Sequence, residues 1–107
     1  MPKTFSQRVV EAALAIPFGR VTTYGHIARA AGGGGQAARS VTSILARAYE
    51  DGEKNIPFHR IVFAGGKVWL NNEYGARRLK LYKKEEIEVD KKTGKIKDFN
   101  DIIFLYK

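Results

Sequence analysis

The chain is 107 residues long, which suits a single domain, and its 19 Lys and Arg against 11 Asp and Glu leave a formal net charge of +8, a balance suited to nucleic acid or an acidic membrane surface. With no cysteine and 2 histidines, disulfides, thiolate nucleophiles and thiolate metal ligands are excluded, and neither a metal site nor a cofactor is expected. No apolar run approaches the roughly 20 residues of a membrane span and the segment Met1-Pro2-Lys3-Thr4 lacks a signal-peptide core, so the expectation is a cytoplasmic protein without a membrane partner.

The charge is unevenly spread. No acidic residue falls between Glu11 and Glu50, a stretch that carries Arg20, Arg29, Arg39 and Arg47, whereas the second half mixes both signs as a solvated face does. Phe5, Val9, Ala13 and Ile16, reinforced by Val10 and Leu14, recur at helical spacing. Thr4 or Ser6 is placed to cap this first helix, and Pro17 and Gly19 to stop it. Thr22-Thr23 offers a cap for a second helix over residues 24–31, with Ile27, Ala28, Ala30 and Ala31 towards the core. Gly32 to Gly35 form a turn, and a third helix runs from about Gln36 to Tyr49 with Val41, Ile44, Leu45 and Ala48 on its buried side. Two helices joined by a short glycine turn have the form of a helix-turn-helix, the second being the recognition helix.

Further on, Ile61-Val62-Phe63 reads as a strand, Ala64-Gly65-Gly66 as a tight turn and Val68-Trp69-Leu70 as the partner strand, which makes a wing. Residues 75–86 read as a fourth helix with Leu79 and Tyr82 inward. Ile87 to Val89 and Lys95-Ile96 flank a second hairpin, and Ile102 to Tyr106 reads as a packed strand. The expected fold is therefore mainly α with small β, a winged helix-turn-helix-like domain plus a C-terminal hairpin extension. The expected organisation is a DNA-binding unit over residues 1–88, with 89–107 packed on it.

Five segments in order, Phe5-Ser-Gln7, Ile16-Pro-Phe-Gly19, Val21-Thr-Thr-Tyr-Gly25, Ala37-Ala-Arg-Ser-Val41 and Ile56-Pro-Phe-His-Arg-Ile-Val62, resemble the DNA-binding domain of the alkylguanine-DNA alkyltransferases over residues 4 to 86. Residues 89–107 have no counterpart in this resemblance. The family's Pro-Cys-His-Arg motif supplies a thiolate that attacks the alkyl carbon on O6 of guanine. Here the motif reads Pro57-Phe58-His59-Arg60, and a benzyl side chain has no lone pair to donate. Alkyl transfer by that mechanism is excluded, and no other nucleophile adjoins His59. The substitution resembles the alkyltransferase-like proteins, in which an aromatic residue, usually tryptophan, replaces the cysteine. Those proteins bind and flip the damaged base without repairing it and mark it for nucleotide excision repair.

The resemblance implies roles residue by residue. Arg39 matches the arginine that replaces the flipped base in the stack. Tyr24 matches the tyrosine that crowds the neighbouring phosphate, and its place at a helix N-terminus suits phosphate contact. Ala37 and Ala38, being small, suit docking in the narrow minor groove. Arg20, Arg29, Arg47 and the hydroxyls of Thr22, Thr23 and Ser40 are candidate phosphate contacts. Pro57 and Phe58 line the lesion pocket or simply pack. His59 and Arg60 belong to the same motif but are expected to hydrogen-bond within and brace their loop. Trp69, on the wing, either packs or lines the pocket.

The expected function is non-enzymatic recognition of O6-alkylguanine in double-stranded DNA, through the minor groove with base flipping, by a monomer that directs the lesion to nucleotide excision repair proteins. The alternatives are a winged-helix regulator that reads undamaged DNA, usually as a dimer, and a protein-interaction module.

Overall fold

The computed structural model describes residues 3–34, 37–68 and 72–106. The first helix, α1 (Phe5–Leu14), opens with a capping box. The Thr4 hydroxyl accepts from the Gln7 amide at 3.1 Å, and the Gln7 side chain accepts from the Thr4 amide at 2.8 Å. Strand β1 (Thr22–Thr23) leads directly into α2 (Tyr24–Ala30), because the Thr23 hydroxyl accepts from the His26 amide and caps the helix. α2 stops in a Schellman motif. Gly33 N–H reaches the Ala28 carbonyl at 2.8 Å and Gly32 N–H reaches that of Arg29 at 3.0 Å, which requires the left-handed φ of +92° at Gly32. Recognition-helix candidate α3 (Ala38–Glu50) follows.

Apolar faces of these three helices meet in one cluster. It comprises Val9, Ala13 and Ile16 of the first helix and its exit, Ile27, Ala28 and Ala31 of the second, and Val41 and Leu45 of the third, closed by Ile56 and Ile61. Ala30, expected inward, is exposed, because at about 100° per residue it lies on the side of Ile27 away from Ala28 and Ala31.

The small β elements are arranged differently from the expected wing. β2 (Ile61–Val62) takes its partner from an earlier segment of the chain. It lies parallel to β1, with Thr22 opposite Ile61 and Thr23 opposite Val62. The chain does reverse at residues 64–66, with Phe63 N–H donating to the Lys67 carbonyl at 2.9 Å, but Val68 N–H then donates to Gly94 at 2.7 Å and Lys67 bridges Lys95. Residues 67–68 thus join the second hairpin, β3 (Val89–Asp90) antiparallel to β4 (Lys95–Ile96). The physical reason is alternation. Ile61 faces the helix cluster while Val62 enters a second one with Val21, Val68, Tyr82, Ile87 and Ile96, so β2 is buried on both faces. Trp69 and Leu70 lie outside the described residues.

α4 (Asn72–Lys84) runs longer at its start than the expected 75–86 and ends in another Schellman motif, with Ile87 N–H donating to the Tyr82 carbonyl at 2.8 Å and Glu86 at φ +59°. The tail is a helical turn, α5 (Phe99–Ile102), then an extended run beside β1. Val21 donates to the Ile102 carbonyl and accepts from Phe104, and the Tyr106 hydroxyl donates to the Ala12 carbonyl at 2.5 Å. Burial pushes the Tyr106 hydroxyl up to about 12. Both edges of β1 are thereby paired.

A side chain at Gly33 would place its Cβ 2.6 Å from the Ala37 Cβ and 2.9 Å from Phe5, whereas a Cβ at Gly34 meets nothing within 4 Å. Gly33→Ala should cost about 1–3 kcal/mol by overpacking and lower the melting temperature by about 5 °C or more, with Gly34→Ala within about 0.5 kcal/mol of the parent. Thermal unfolding followed by circular dichroism checks both.

Candidate nucleic-acid interface

Residues Arg39, Thr42, Ala46 and Tyr49 follow one another at three- and four-residue steps along α3, so they share one face of the helix, and all four are exposed. At 1.5 Å per residue that stripe runs about 15 Å from Arg39 to Tyr49. At its leading end α3 opens on Ala37, which has no side chain to cap it. Ala37 and Ala38 are half-buried against the helix cluster, Ser40 is exposed, and Arg39 has no ion-pair partner among the described residues. Tyr24 flanks the middle of the stripe. Burial raises its hydroxyl above the ordinary value, against the opposing influence of nearby Arg78 and of Thr42 within hydrogen-bonding reach. Its ring packs on Phe63 with centroids 5.6 Å apart.

At the far end the stripe becomes the wall of a cleft of about 560 Å³, lined by Tyr49, Ile56, Phe58 and His59 on one side and by Arg77, Arg78 and Leu81 of α4 on the other. Phe58 heads a single helical turn, residues 58–60, and meets the Tyr49 ring edge-on at 5.8 Å. The turn is fixed by Glu85, at the C-terminal end of α4. Its carboxylate accepts from Arg60 Nε at 3.0 and 3.2 Å and from the Gly19 amide at 2.7 Å, and it pairs with His59 Nε2. Arg60 Nη1 also donates to the Ile16 carbonyl at 3.0 Å. Burial by itself would raise the Glu85 carboxyl, but the Gly19 amide, Arg60 and His59 together outweigh it and hold the group below its ordinary value.

Several sequence expectations change accordingly. The Thr22 hydroxyl is fully buried and donates to the Phe104 carbonyl at 3.0 Å, and Thr23 is buried as the cap of α2. Neither presents a hydroxyl to a phosphate, because Thr22 is consumed in holding the tail beside β1 and Thr23 in capping α2. Thr23 also occupies one of the free amides of α2 on which phosphate contact at Tyr24 was to rest. The arginines form no single stripe. Arg20 donates to the Asp101 carbonyl at 2.7 Å, Arg29 lies against Leu105 and Tyr106, and Arg47 lines a groove between α1 and α3. Of the motif residues, Phe58 and His59 line the cleft, Pro57 is buried, and Arg60 turns away to Glu85. Trp69 lies outside the described residues.

Glu85, Tyr49, Arg77 and Arg78 were missed. For Glu85 the signal was available, since it follows Tyr82 by three residues on the same inward helix face. Among the described residues there is no group of three potential metal ligands, and no helix is long and apolar enough to cross a membrane.

Residues 4–87 match the family described as 6-O-methylguanine DNA methyltransferase, DNA binding domain. The chain belongs to this family. Within it, a DNA base-flipping protein from Escherichia coli (strain K12) is 43% identical over 67 residues, 63% of this chain and 50% of that protein, and one from Shigella flexneri matches equally. The chain thus spans about half the length of these relatives. Among solved structures, Schizosaccharomyces pombe Atl1 in complex with damaged DNA containing O6-carboxymethylguanine superposes with a TM-score of 0.75 at 25% identity, over 95% of each chain. The O6-methylguanine methyltransferase of Mycobacterium tuberculosis gives 0.58 at 32% identity, over 80% of this chain and 50% of that one. The Atl1 match runs well past residue 87, so the tail that had no counterpart in the sequence has one in the fold. The mainly α, helix-turn-helix architecture is that of the family.

The Glu85 clamp predicts an acid sensitivity. A carboxylate held below its ordinary value of 4.5 contributes stability that is fully present above that value and is lost as pH falls through the lowered folded value. Chemical denaturation between pH 3 and 7 should show this loss below about pH 4.5 in the parent and a flatter profile in Glu85→Gln. At neutral pH Glu85→Gln should be less stable by about 3 kcal/mol, since Arg60 is left half-buried without its carboxylate.

Proposed function

We propose that this chain is a non-enzymatic sensor of guanine alkylated at O6 in double-stranded DNA. It docks α3 in the minor groove, rotates the lesion out of the stack, holds it in the cleft beside Phe58 and presents the site to nucleotide excision repair, acting as a monomer in the cytoplasm. The observation that carries this reading is the continuity of the stripe from Arg39 past Tyr24 to Tyr49 with a cleft whose motif loop bears Phe58 where the transferases have their nucleophile. Family membership and the names of the relatives, a base-flipping protein and Atl1 bound to damaged DNA, support it.

Each part has a physical task. A planar guanidinium at Arg39 fills the gap left by an extruded base and replaces its lost hydrogen bonds. Ala37 and Ala38 keep the leading turn of α3 slim enough for a groove about 6 Å wide. The bulk of Tyr24 at the edge of the stripe crowds the backbone of the target nucleotide. Phe58 offers an aromatic face to the base but no electron pair to the alkyl carbon, so the complex ends at recognition.

Fluorescence anisotropy with short duplexes, with and without a single O6-methylguanine, tests this at two salt concentrations. The lesion duplex should bind at least about tenfold more tightly, since an already weakened base pair lowers the cost of extrusion. Arg39→Ala and Tyr24→Ala should each remove most of that preference. Equal, salt-sensitive binding to both duplexes would instead indicate a reader of undamaged DNA.

A further inference from the structure

The wall of the cleft opposite Phe58 carries two arginines in succession on α4, Arg77 exposed and Arg78 half-buried, and both line the cavity. Among the described residues neither has an ion-pair partner and no carboxylate lines the cleft. Glu85, at the end of the same helix, is already saturated by Arg60, His59 and the Gly19 amide. Placing adjacent cations, without a counter-charge among the described residues, on a largely aromatic and aliphatic surface costs stability through mutual repulsion and gains nothing from packing that neutral residues would not supply. The outer wall repeats the sign, since Lys54 Nζ stands 3.9 Å over the Tyr49 ring.

Resting on the reading above, we propose that Arg77 and Arg78 make the cleft selective for O6 adducts that carry a negative charge, carboxylates above all, over neutral adducts of the same size. Guanidinium is charged at every physiological pH and its fork of N–H donors matches the two oxygens of a carboxylate. The apolar surface of Phe58 and Ile56 receives the methylene next to O6, and the arginines of α4 receive the charge. The phosphates of DNA are a competing source of anion for the same side chains, but they are present whatever the adduct, so they alter total affinity and not the ratio between adducts.

The test compares three duplexes of one sequence, bearing O6-carboxymethylguanine, its neutral amide isostere O6-carbamoylmethylguanine, and undamaged guanine, by anisotropy at fixed salt. The parent should bind the carboxymethyl duplex about five- to tenfold more tightly than the amide duplex, as a charge-assisted pair in a partly screened cleft allows. The double variant Arg77→Gln, Arg78→Gln should bring that ratio to about one, with its fold confirmed by thermal unfolding. A ratio of one in the parent, with both lesions still preferred over undamaged DNA, overturns the charge selectivity and leaves lesion recognition standing. A ratio that survives in the double variant overturns the assignment to these arginines. No preference for either lesion overturns lesion recognition and this proposal together.

Discussion

A single carboxylate organises the molecule around its cleft. Glu85 stands at the end of α4 and reaches into the loop that follows α1, through Gly19, and into the motif turn, through His59 and Arg60. Three segments distant in sequence therefore meet at one buried group. The position and angle of Phe58 follow from it, because residues 58–60 form only one helical turn and have no regular neighbour on either strand edge to fix them. Burying a charge this deeply is tolerable only when every lone pair is answered, and here the Arg60 guanidinium, the His59 ring and the Gly19 amide do so.

The second constraint is the paired state of β1. Thr22–Thr23 is only two residues long, yet β2 lies on one side and the tail on the other. Since Tyr24 begins α2 immediately after β1, the fixed strand sets where Tyr24 emerges, and Thr23 fixes the helix direction by capping it. The residues at 102–106 are thus part of the frame that holds the interface. This accounts for a fold resemblance to Atl1 that extends over the tail where sequence resemblance stops.

The buried carboxylate fixes a turn whose first position, 58, holds a benzyl group, in a chain that has no cysteine. That turn lines a cleft bearing aromatic and cationic side chains, and an exposed stripe leads from it to Arg39.

Much of this was legible in the residues. Helical periodicity and caps placed α1, α2 and α3, because Thr4 and Thr23 act within one turn and the apolar spacing is local. Ordered motifs singled out Tyr24, Arg39 and Phe58 as candidates, and the absence of cysteine excluded thiolate chemistry without any structure. The pairing of Ile61–Val62 was not legible, because a short apolar run between turn residues fits a hairpin and a doubly buried parallel strand equally well, and only the position of Thr22–Thr23 in space decides. Nor could the sequence show that Thr22, Thr23, Arg20 and Arg60 spend their donors inside the protein, since a hydroxyl or guanidinium reads the same whether it faces a phosphate or a carbonyl. Tertiary structure made those choices, and it also brought Arg77 and Arg78 of α4 into the lining of one cleft with Phe58, about twenty positions away in sequence, a placement that no local pattern encodes.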